Sequence, residues 1–462
     1  MKRILAFVLT VVLCATFSLG FSGEEDLVGT DITTAVAMNF SVGEGKSAFL
    51  RDRNPETVCS ARDRFELLIA SETPIYGIYL IWNTKPAEWK LNSAEETLSG
   101  GTQGFLHEYR ALSGGTAYSL TWDGPSDAQL AEIYFLSEGS VPEFVQVWDE
   151  PYTKADILML PILPGDEFLY FGGVLPYYGK ELGLQVQVAY LLNSDPVRNH
   201  ELLNGLWYAG VRNYPVFSSF SHQADASYAE SDILAFMVEL LRRFKPEVVI
   251  GPDLAGNGGD AVRMQFSAVL AQQALAGARD GSQFAESVTE YGVWQVKKCY
   301  LHLYTEGNLF LDWSAKNLTA FDGKNAFEVA QTAYGYHVSQ QDKGLMSLDD
   351  PIRGGNGLFG LYSSTVGADT GEKDFLENIP AESLSNWVEP EPEPEPELPT
   401  TENKPVTEPL DPPVSVPEVS IPLPKPSNKS DFPPALLWAI VALGGVGFIG
   451  TIVLICKSGK RK

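Results

Sequence analysis

The feature that most restricts the fold of this 462-residue chain is a regular alternation of strand and helix patterns after Glu150. Continuously apolar segments indicate buried strands, and they alternate with segments whose apolar residues recur at helical spacing. In SDILAFMVELLRRF, for example, one helical face contains Ile233, Phe236, Met237, Leu240 and Leu241. The four strand patterns are ADILMLPIL, QVQVAYLLN, EVVIGPD and CYLHLY. This alternation predicts an α/β domain with a mostly parallel sheet and helices on both of its faces.

The loops that follow the first three of these strands are the expected place for a functional site. They read LPGDE, LLNSD and GPDLAGNGGD, and each of them contains a carboxylate. Ligands of parallel sheets bind beyond the carboxyl ends of the strands, where the strand order reverses. We therefore expect these carboxylates to lie near one another.

Residues 25–150 have a different pattern, in which short alternating strands such as FELLIAS and TAYSLTW are separated by Gly, Pro, Asn and Ser. Several short strands at near-regular spacing predict an all-β, sandwich-like domain. Its recurring aromatic residues either pack in the core and at its rim or line a sugar-binding site; they are Trp82, Trp89, Tyr109 and Trp122.

The two ends of the chain predict a secreted, membrane-anchored protein. Residues 1–20 combine two basic residues with an apolar run, as in a secretory signal peptide. Residues 386–434 are rich in Pro and Glu and are expected to form a disordered, extended stalk. Residues 435–456 are uncharged and long enough to cross a ~30 Å hydrocarbon core. The basic tail 457–462 then predicts a single-pass plasma-membrane protein whose N-terminal ectodomain is extracellular.

Charge and cysteine content narrow the choice of partners. The formal net charge of −26 argues against binding to nucleic acid, whose phosphates would be repelled. Only Cys59 and Cys299 lie between the signal peptide and the membrane segment. Because they fall in different predicted domains, we expect no disulfide between them.

Four motifs in the predicted α/β domain, residues 151–380, occur in a familiar order. They are ILPGDEFLYFGG (162–173), RNHE (198–201), GDAVR (259–263) and HVSQ (337–340). In this order the chain resembles the PIG-L (LmbE-like) family of zinc-dependent N-acetylglucosaminyl deacetylases. The resemblance implies a Rossmann-like sheet, and it implies that this domain is a degenerate member of a hydrolase family.

The resemblance also implies which residues would hold zinc and which would act as the base. Leu163 and Arg263 stand where the family has histidine ligands. Of the three zinc-ligand positions, only that of Asp166 still has a residue that can bind zinc. Gly165 stands at the position of the general base, and Asp260 at that of the other histidine in the third motif. A catalytic zinc site takes three protein ligands, and its bound water needs a positioned base. We therefore expect no bound cofactor and no catalytic residue, with zinc present only if the motifs are misaligned.

Several interpretations of the remaining acidic residues stay open. Asp166 and Glu167 could form a solvated turn at a helix N-terminus, where the dipole favours carboxylates. Asp166, Asp253 and Asp260 could form an oxygen-only site for Ca²⁺ or Mg²⁺. Asp260 could instead pair with Arg263 at the former metal position.

The histidines and the remaining motif residues complete the predicted cleft. His200 is expected to line it, whereas His107 and His302 are expected to be ordinary structural histidines. A two-residue shift of the third motif would replace Arg263 by Ala261 and would still supply no histidine ligand. The candidate cleft residues are Glu167, Arg198, Glu201, Asp253, Asp260 and His337.

Three functions compete at this stage. The first is a cell-surface binding module with an inactive deacetylase-like domain, for which a glycan is the leading candidate ligand. The second is an active zinc-dependent deacetylase of N-acetylglucosamine-containing glycans. The third is a purely structural surface protein. Retained fold motifs without metal ligands favour the first over the second.

Overall fold

The computed structural model describes residues 27–124, 126–221, 228–305, 308–343, 355–371 and 374–386. The expected signal peptide, membrane segment and cytoplasmic tail lie outside these ranges, as does the stalk apart from Asn386. Within them, no helix is both long and apolar enough to span a bilayer. Cys59 and Cys299 are both buried and free, as expected.

The N-terminal part forms one antiparallel sheet of seven strands. Its strands are β1 (Ala37–Val42), β2 (Cys59–Ser60), β3 (Arg64–Trp82), β4 (Trp89–Asn92), β5 (Thr97–Gly100), β6 (His107–Asp123) and β7 (Gln129–Leu136). The order is β2-β7-β3-β6-β4-β5, and β1 also pairs with β3. Two 3₁₀ turns accompany this sheet, at Thr33–Ala35 and Phe49–Arg51.

The sequence led us to expect a sandwich-like domain, but hydrogen bonding joins these strands into a single sheet. The reason is the length of β3 and β6, which have 19 and 17 residues. β3 pairs with β1 through its first half and with β7 through its second half, while β6 pairs along nearly all of it. Register shifts between Ala70 and Gly77 separate the two halves of β3.

The aromatic residues of this sheet pack in its core. Trp82, Trp89 and Trp122 are at most 1% exposed, and Trp122 stacks on Phe65 with ring centroids 3.7 Å apart. Buried Glu108 accepts hydrogen bonds from the indole N–H groups of Trp82 (3.0 Å) and Trp89 (2.7 Å). These three indoles are thus not available to stack on a sugar, and the packing interpretation is correct for them, whereas Tyr109 is half-buried.

The C-terminal part is built on a mixed sheet. Its strands are β8 (Ile157–Met159), β9 (Val186–Tyr190), β10 (Val216–Phe217), β11 (Val248–Gly251), β12 (Lys298–His302), β13 (Asn308–Phe310) and β14 (Leu358–Ser364). The strand order is β10-β9-β8-β11-β12-β14-β13. The first five strands pair in parallel, and β14 pairs antiparallel with both β12 and β13. The predicted mostly parallel sheet is therefore confirmed, with an antiparallel edge that the sequence pattern did not indicate.

Helices connect these strands. They are α1 (Asp166–Leu169), α2 (Pro196–Tyr208), α3 (Glu230–Phe244), α4 (Gly256–Gly259), α5 (Ala261–Val269), α6 (Leu275–Arg279), α7 (Ala285–Tyr291) and α8 (Ala326–Tyr334). Two π-helical segments, Leu175–Glu181 and Leu270–Ala274, follow α1 and join α5 to α6. Short 3₁₀ turns lie at Trp313–Ala315, Thr319–Phe321, Val338–Lys343 and Ala381–Ser383.

Local capping explains where several helices begin. Asp195 caps α2 and is followed by Pro196, whose fixed φ suits the first helical position. Asn325 and Glu328 form a capping box at the start of α8. Asp260 caps α5 through the backbone N–H of Arg263. The polar residues of the third motif thus have a structural use.

Both sheets contribute side chains to one apolar core, which runs from residues such as Phe65 and Trp82 to Tyr190 and Tyr334. In the mixed sheet the strand order reverses at β8, because β9 and β10 lie on one side of it and β11 and β12 on the other. The loops after β8 and β11 therefore meet at the switch point, where a site was expected.

Candidate functional site

The turn after β8 presents buried carboxylates rather than solvated ones. Gly165 adopts a φ of +96° and starts α1, so that Asp166 and Glu167 point into the protein. Asp166 is 4% exposed and Glu167 is fully buried. The solvated-turn interpretation is therefore wrong, because the tight left-handed turn directs both side chains inward.

Asp166 is held by Arg263 across 97 residues of sequence. The guanidinium donates from Nη1 to Asp166 Oδ2 (2.6 Å) and from Nη2 to Oδ1 (3.0 Å). Asp166 Oδ2 also accepts the backbone N–H of Leu163 at 2.8 Å. Burial alone lowers the pKa of Arg263, but the adjacent Asp166 carboxylate outweighs this effect and raises it above its usual value. The result is a bidentate, charge-assisted ion pair away from bulk solvent.

This ion pair differs from the one that the sequence suggested. Asp260 was one candidate partner for Arg263, but its carboxylate caps α5 by accepting the Arg263 backbone N–H at 3.0 Å. Asp260 is exposed, whereas Asp166 is buried and already paired. The two carboxylates therefore do not form the oxygen-only site for Ca²⁺ or Mg²⁺ that we considered.

A second layer of polar contacts lies beneath the ion pair and involves the fourth motif. His337 Nε2 is 2.8 Å from Glu167 Oε1, and both side chains are fully buried. Glu167 Oε2 accepts the Gly165 N–H at 2.7 Å. Gln340 donates to the carbonyl of Pro164 at 3.0 Å. The first and fourth motifs thus lie in direct contact.

Tyr190 at the end of β9 lies against this layer. Burial raises its pKa, and the negative charge of Glu167 raises the pKa further. The phenol therefore stays neutral beside the carboxylate. Sequence reasoning missed Tyr190, although its place just before LLNSD put it at the same edge of the sheet.

The second motif divides between this site and the surface. Glu201 accepts hydrogen bonds from the backbone N–H and the hydroxyl of Ser339, both at 2.6 Å. Arg198 instead lies 3.6 Å from Asp195 at the start of α2, with a partly exposed side chain. Glu201 therefore supports the fourth motif, and the structure does not place Arg198 in the predicted cleft.

Asp253 and His302 complete the site at the ends of β11 and β12. Asp253 is 8% exposed and accepts the Ala255 N–H at 2.9 Å. Burial lowers the pKa of His302 to about 4, although the charges of Asp253 and Asp166 oppose this shift. His302 Nδ1 is buried without a hydrogen-bond partner. We expected an ordinary structural histidine here, and its position at the carboxyl end of a parallel strand was the signal for the site.

These residues do not fit the zinc ion that the resemblance implies. Both oxygens of Asp166 are taken by the Arg263 guanidinium, which carries a permanent positive charge. Leu163 has no ligand atom in its side chain, and Gly165 has no side chain to act as base. In the described ranges, no group of three or more His, Cys, Asp or Glu residues is arranged to hold a metal.

Comparison with known proteins gives the following similarities. No protein-family model matches the chain, and no curated protein matches it. Similar solved structures include a conserved protein of Thermus thermophilus, at 18% identity and TM-score 0.31, covering 41% of this chain and 81% of that one. The N,N'-diacetylchitobiose deacetylase of Pyrococcus horikoshii has 16% identity and TM-score 0.32, with 41% and 72% covered.

A third similar structure is the 4-carboxy-2-hydroxymuconate hydratase of Pseudomonas putida, at 14% identity and TM-score 0.30, with 47% of this chain and 99% of that one covered. Deacetylases thus occur among the solved structures that resemble this chain. Similarity at this level identifies neither a family nor an activity for it.

Proposed function

We propose that this chain is a membrane-anchored cell-surface protein whose deacetylase-like domain binds a ligand and does not hydrolyse it. The observation that carries the proposal is the bidentate ion pair between Arg263 and Asp166 at the switch point of the mixed sheet. It puts a fixed cation where a hydrolytic metal would have to sit. A dication beside a guanidinium would be repelled at close range.

The surroundings of the ion pair support the same proposal. A general base needs a side chain that can take a proton, and Gly165 has none. An aspartate there would adopt the strained φ of +96°, and its Cβ would lie 3.3 Å from the Gln340 side chain. A larger side chain at residue 165 is thus disfavoured by the backbone itself. A glycan remains the leading candidate ligand.

Zinc content tests the loss of catalysis. The full-length protein, purified without chelators and dialysed, should carry far less than one zinc per chain by mass spectrometry. Replacing both residues at the histidine positions, L163H/R263H, should raise the zinc content towards one, because it frees Asp166 and adds two nitrogen ligands. We keep Gly165 in this variant to avoid strain in the turn.

The matched control for this experiment is L163H/R263Q, which removes the same cation but supplies one histidine fewer. It should bind less zinc than L163H/R263H. Stoichiometric zinc in the wild-type protein, together with acetate release from N-acetylglucosamine oligosaccharides, would refute the proposal.

The alternative function is an active zinc-dependent deacetylase of N-acetylglucosamine-containing glycans. One observation favours it. Among the described residues, His302 Nδ1 is a buried nitrogen without a hydrogen-bond partner, and the negative charges of Asp253 and Asp166 act to raise the pKa of its ring. A metal there would require Arg263 to leave Asp166. The wild-type zinc measurement decides between the two functions.

The topology part of the proposal rests on the sequence of residues 1–20 and 386–462. Protease added to intact cells should release a fragment that reacts with an antibody against the mixed-sheet domain, because an extended proline-rich segment is open to cleavage. The control is the same treatment of a variant in which 435–456 is deleted; it should leave no cell-bound antigen. Full protection of the antigen in intact cells would contradict an extracellular location.

A further inference from the structure

A groove at the junction of the two sheets is separate from the switch-point site. It has a volume of about 660 Å³, within the usual range for small-ligand sites. One wall is the segment that follows the antiparallel sheet, including Glu143 and Phe144, and the other comes from the mixed-sheet part. We call this cavity the junction groove. Its aromatic lining consists of Phe144, Trp207, Tyr208, Phe321 and Tyr336.

Three cations line the junction groove, and in the described residues none of them forms an ion pair with a carboxylate. Lys324 Nζ donates to the hydroxyl of Tyr208 at 3.0 Å. Arg212 lies 3.7 Å above the centre of the Trp207 ring and donates only to backbone carbonyls. Lys180 is exposed at the rim. Unpaired cations in a chain of net charge −26 point to an anionic ligand.

The same groove also contains two carboxylates, and their negative charge limits how much negative charge a bound ligand can carry. Glu143 and Asp322 line it as well. A ligand with clustered phosphates would be repelled by these two carboxylates. A sugar acid has one carboxylate beside several hydroxyl groups. The carboxylate can meet Lys180 or Lys324, and the hydroxyls can donate to the acidic side chains.

A second, smaller cavity of about 210 Å³ lies next to the groove, and Phe144 and Asn204 line both. There a chain of hydrogen bonds joins the antiparallel sheet to helix α2. Tyr79 Oη lies 2.6 Å from His107 Nδ1, and His107 Nε2 lies 2.9 Å from His200 Nδ1. His200 thus faces the antiparallel sheet, and the structure does not place it in the predicted cleft.

The direction of donation along these hydrogen bonds follows from the Tyr79 hydroxyl at their start. Burial raises the pKa of Tyr79, and a hydrogen bond from the backbone of Gln146 opposes that shift. In the described ranges His107 Nδ1 is the acceptor available to the Tyr79 hydroxyl proton, so the arrangement that uses this proton has the phenol donating to His107 Nδ1 and His107 Nε2–H donating to His200 Nδ1. In that arrangement His200 Nε2 carries a proton, and among the described residues it has no hydrogen-bond partner although the side chain is buried. An unpaired buried donor beside a cavity favours a ligand with an acceptor atom.

We propose that the junction groove binds an acidic saccharide, with its carboxylate at Lys180 and Lys324, a sugar ring on Tyr208 and Tyr336, and a ring substituent accepting from His200. Tyr336 is 42% exposed and its ring lies 5.7 Å from that of Tyr208, so the two form an accessible aromatic surface. This inference rests on the proposed binding function and goes beyond it by naming the place and the class of ligand.

Calorimetry with the full-length protein tests the proposal, using trigalacturonate and the neutral trisaccharide galactotriose as probes. Trigalacturonate should bind, and galactotriose should bind about tenfold more weakly or less, because it lacks the carboxylates. Raising the salt concentration should weaken the binding of trigalacturonate and leave the binding of galactotriose unchanged. Equal affinity for both sugars, or no binding of trigalacturonate, would overturn the proposal.

Charge-reversal variants locate the site. K180E/K324E should lose affinity for trigalacturonate about tenfold or more, whereas the matched control K85E/K90E, on exposed lysines of the antiparallel sheet, should stay within about twofold. Equal losses of affinity in both variants would show that binding depends on the net charge of the protein and not on the junction groove, and would overturn the proposal. A synthetic peptide of alternating Glu and Pro that binds in place of the sugar would overturn the saccharide assignment. Zinc content is measured on the same preparations, so a failure here is distinct from a failure of the inactive-cleft proposal.

Discussion

Replacing Arg263 by methionine should lower the free energy of unfolding by about 3–5 kcal/mol, as expected when one partner of a buried ion pair is removed. Asp166 would keep its charge in a buried turn and would retain only the N–H of Leu163 as a donor. Methionine fills much of the space of the arginine stem, so the loss would reflect the charge rather than a cavity. Chemical denaturation followed by circular dichroism measures it.

A double variant separates the ion pair from packing. R263M/D166N removes both charges and keeps an oxygen that can accept from Leu163, so it should recover much of the stability that R263M loses. The matched control is R279M, the same change at an exposed arginine on α6, which should cost less than about 0.5 kcal/mol. If R263M were no more destabilising than R279M, the ion pair would not hold the switch point together, and the proposed loss of catalysis would lose its main support.

The second large effect is expected at Glu108 in the antiparallel sheet. Its carboxylate accepts from the indoles of Trp82 and Trp89 and from the backbone N–H of Gly101 at 2.8 Å. E108L leaves three buried donors without an acceptor, at about 1–3 kcal/mol each. We therefore expect a loss of about 3–6 kcal/mol in unfolding free energy, measured by tryptophan fluorescence during denaturation.

Two further variants make this result specific. E108Q keeps one acceptor oxygen and should lose less stability than E108L. E72L makes the same change at an exposed glutamate of β3 and should be close to wild type. If E108L unfolded like E72L, the tryptophans would not depend on Glu108, and their assignment to a fixed core would need revision.

The parallel strands and their helices could be predicted because each leaves a local pattern. As the spacing of α3 indicated, Ile233, Met237, Leu240 and Leu241 are buried, whereas Phe236 on the same face is half-buried. The strands β8, β9 and β11 lie inside the predicted apolar segments, and β12 begins one residue before its segment. The antiparallel edge of the mixed sheet could not be found in this way, because β13 has three residues and carries little periodic signal.

The site was predicted in position but not in its contacts. The carboxylates after β8 and β11 were expected at one edge of the sheet, and the strand order places them there. The choice of Asp166 over Asp260 as the partner of Arg263 depends on burial and on the direction of α5. Residues 260 and 263 are neighbours in sequence, whereas Asp166 is 97 residues away. Spacing alone favours the near pair.

The sequence by itself determined the alternation of strands and helices, the order of the four motifs and the absence of histidine at residues 163 and 263, since each is a property of residue type and spacing. The tertiary structure decided that the long strands β3 and β6 join one sheet, that Arg263 holds Asp166, and that His107 of the antiparallel sheet meets His200 of helix α2. These contacts join residues far apart in the chain. They depend on which side chains are buried together, and hydrogen bonding of buried polar groups then selects the partner.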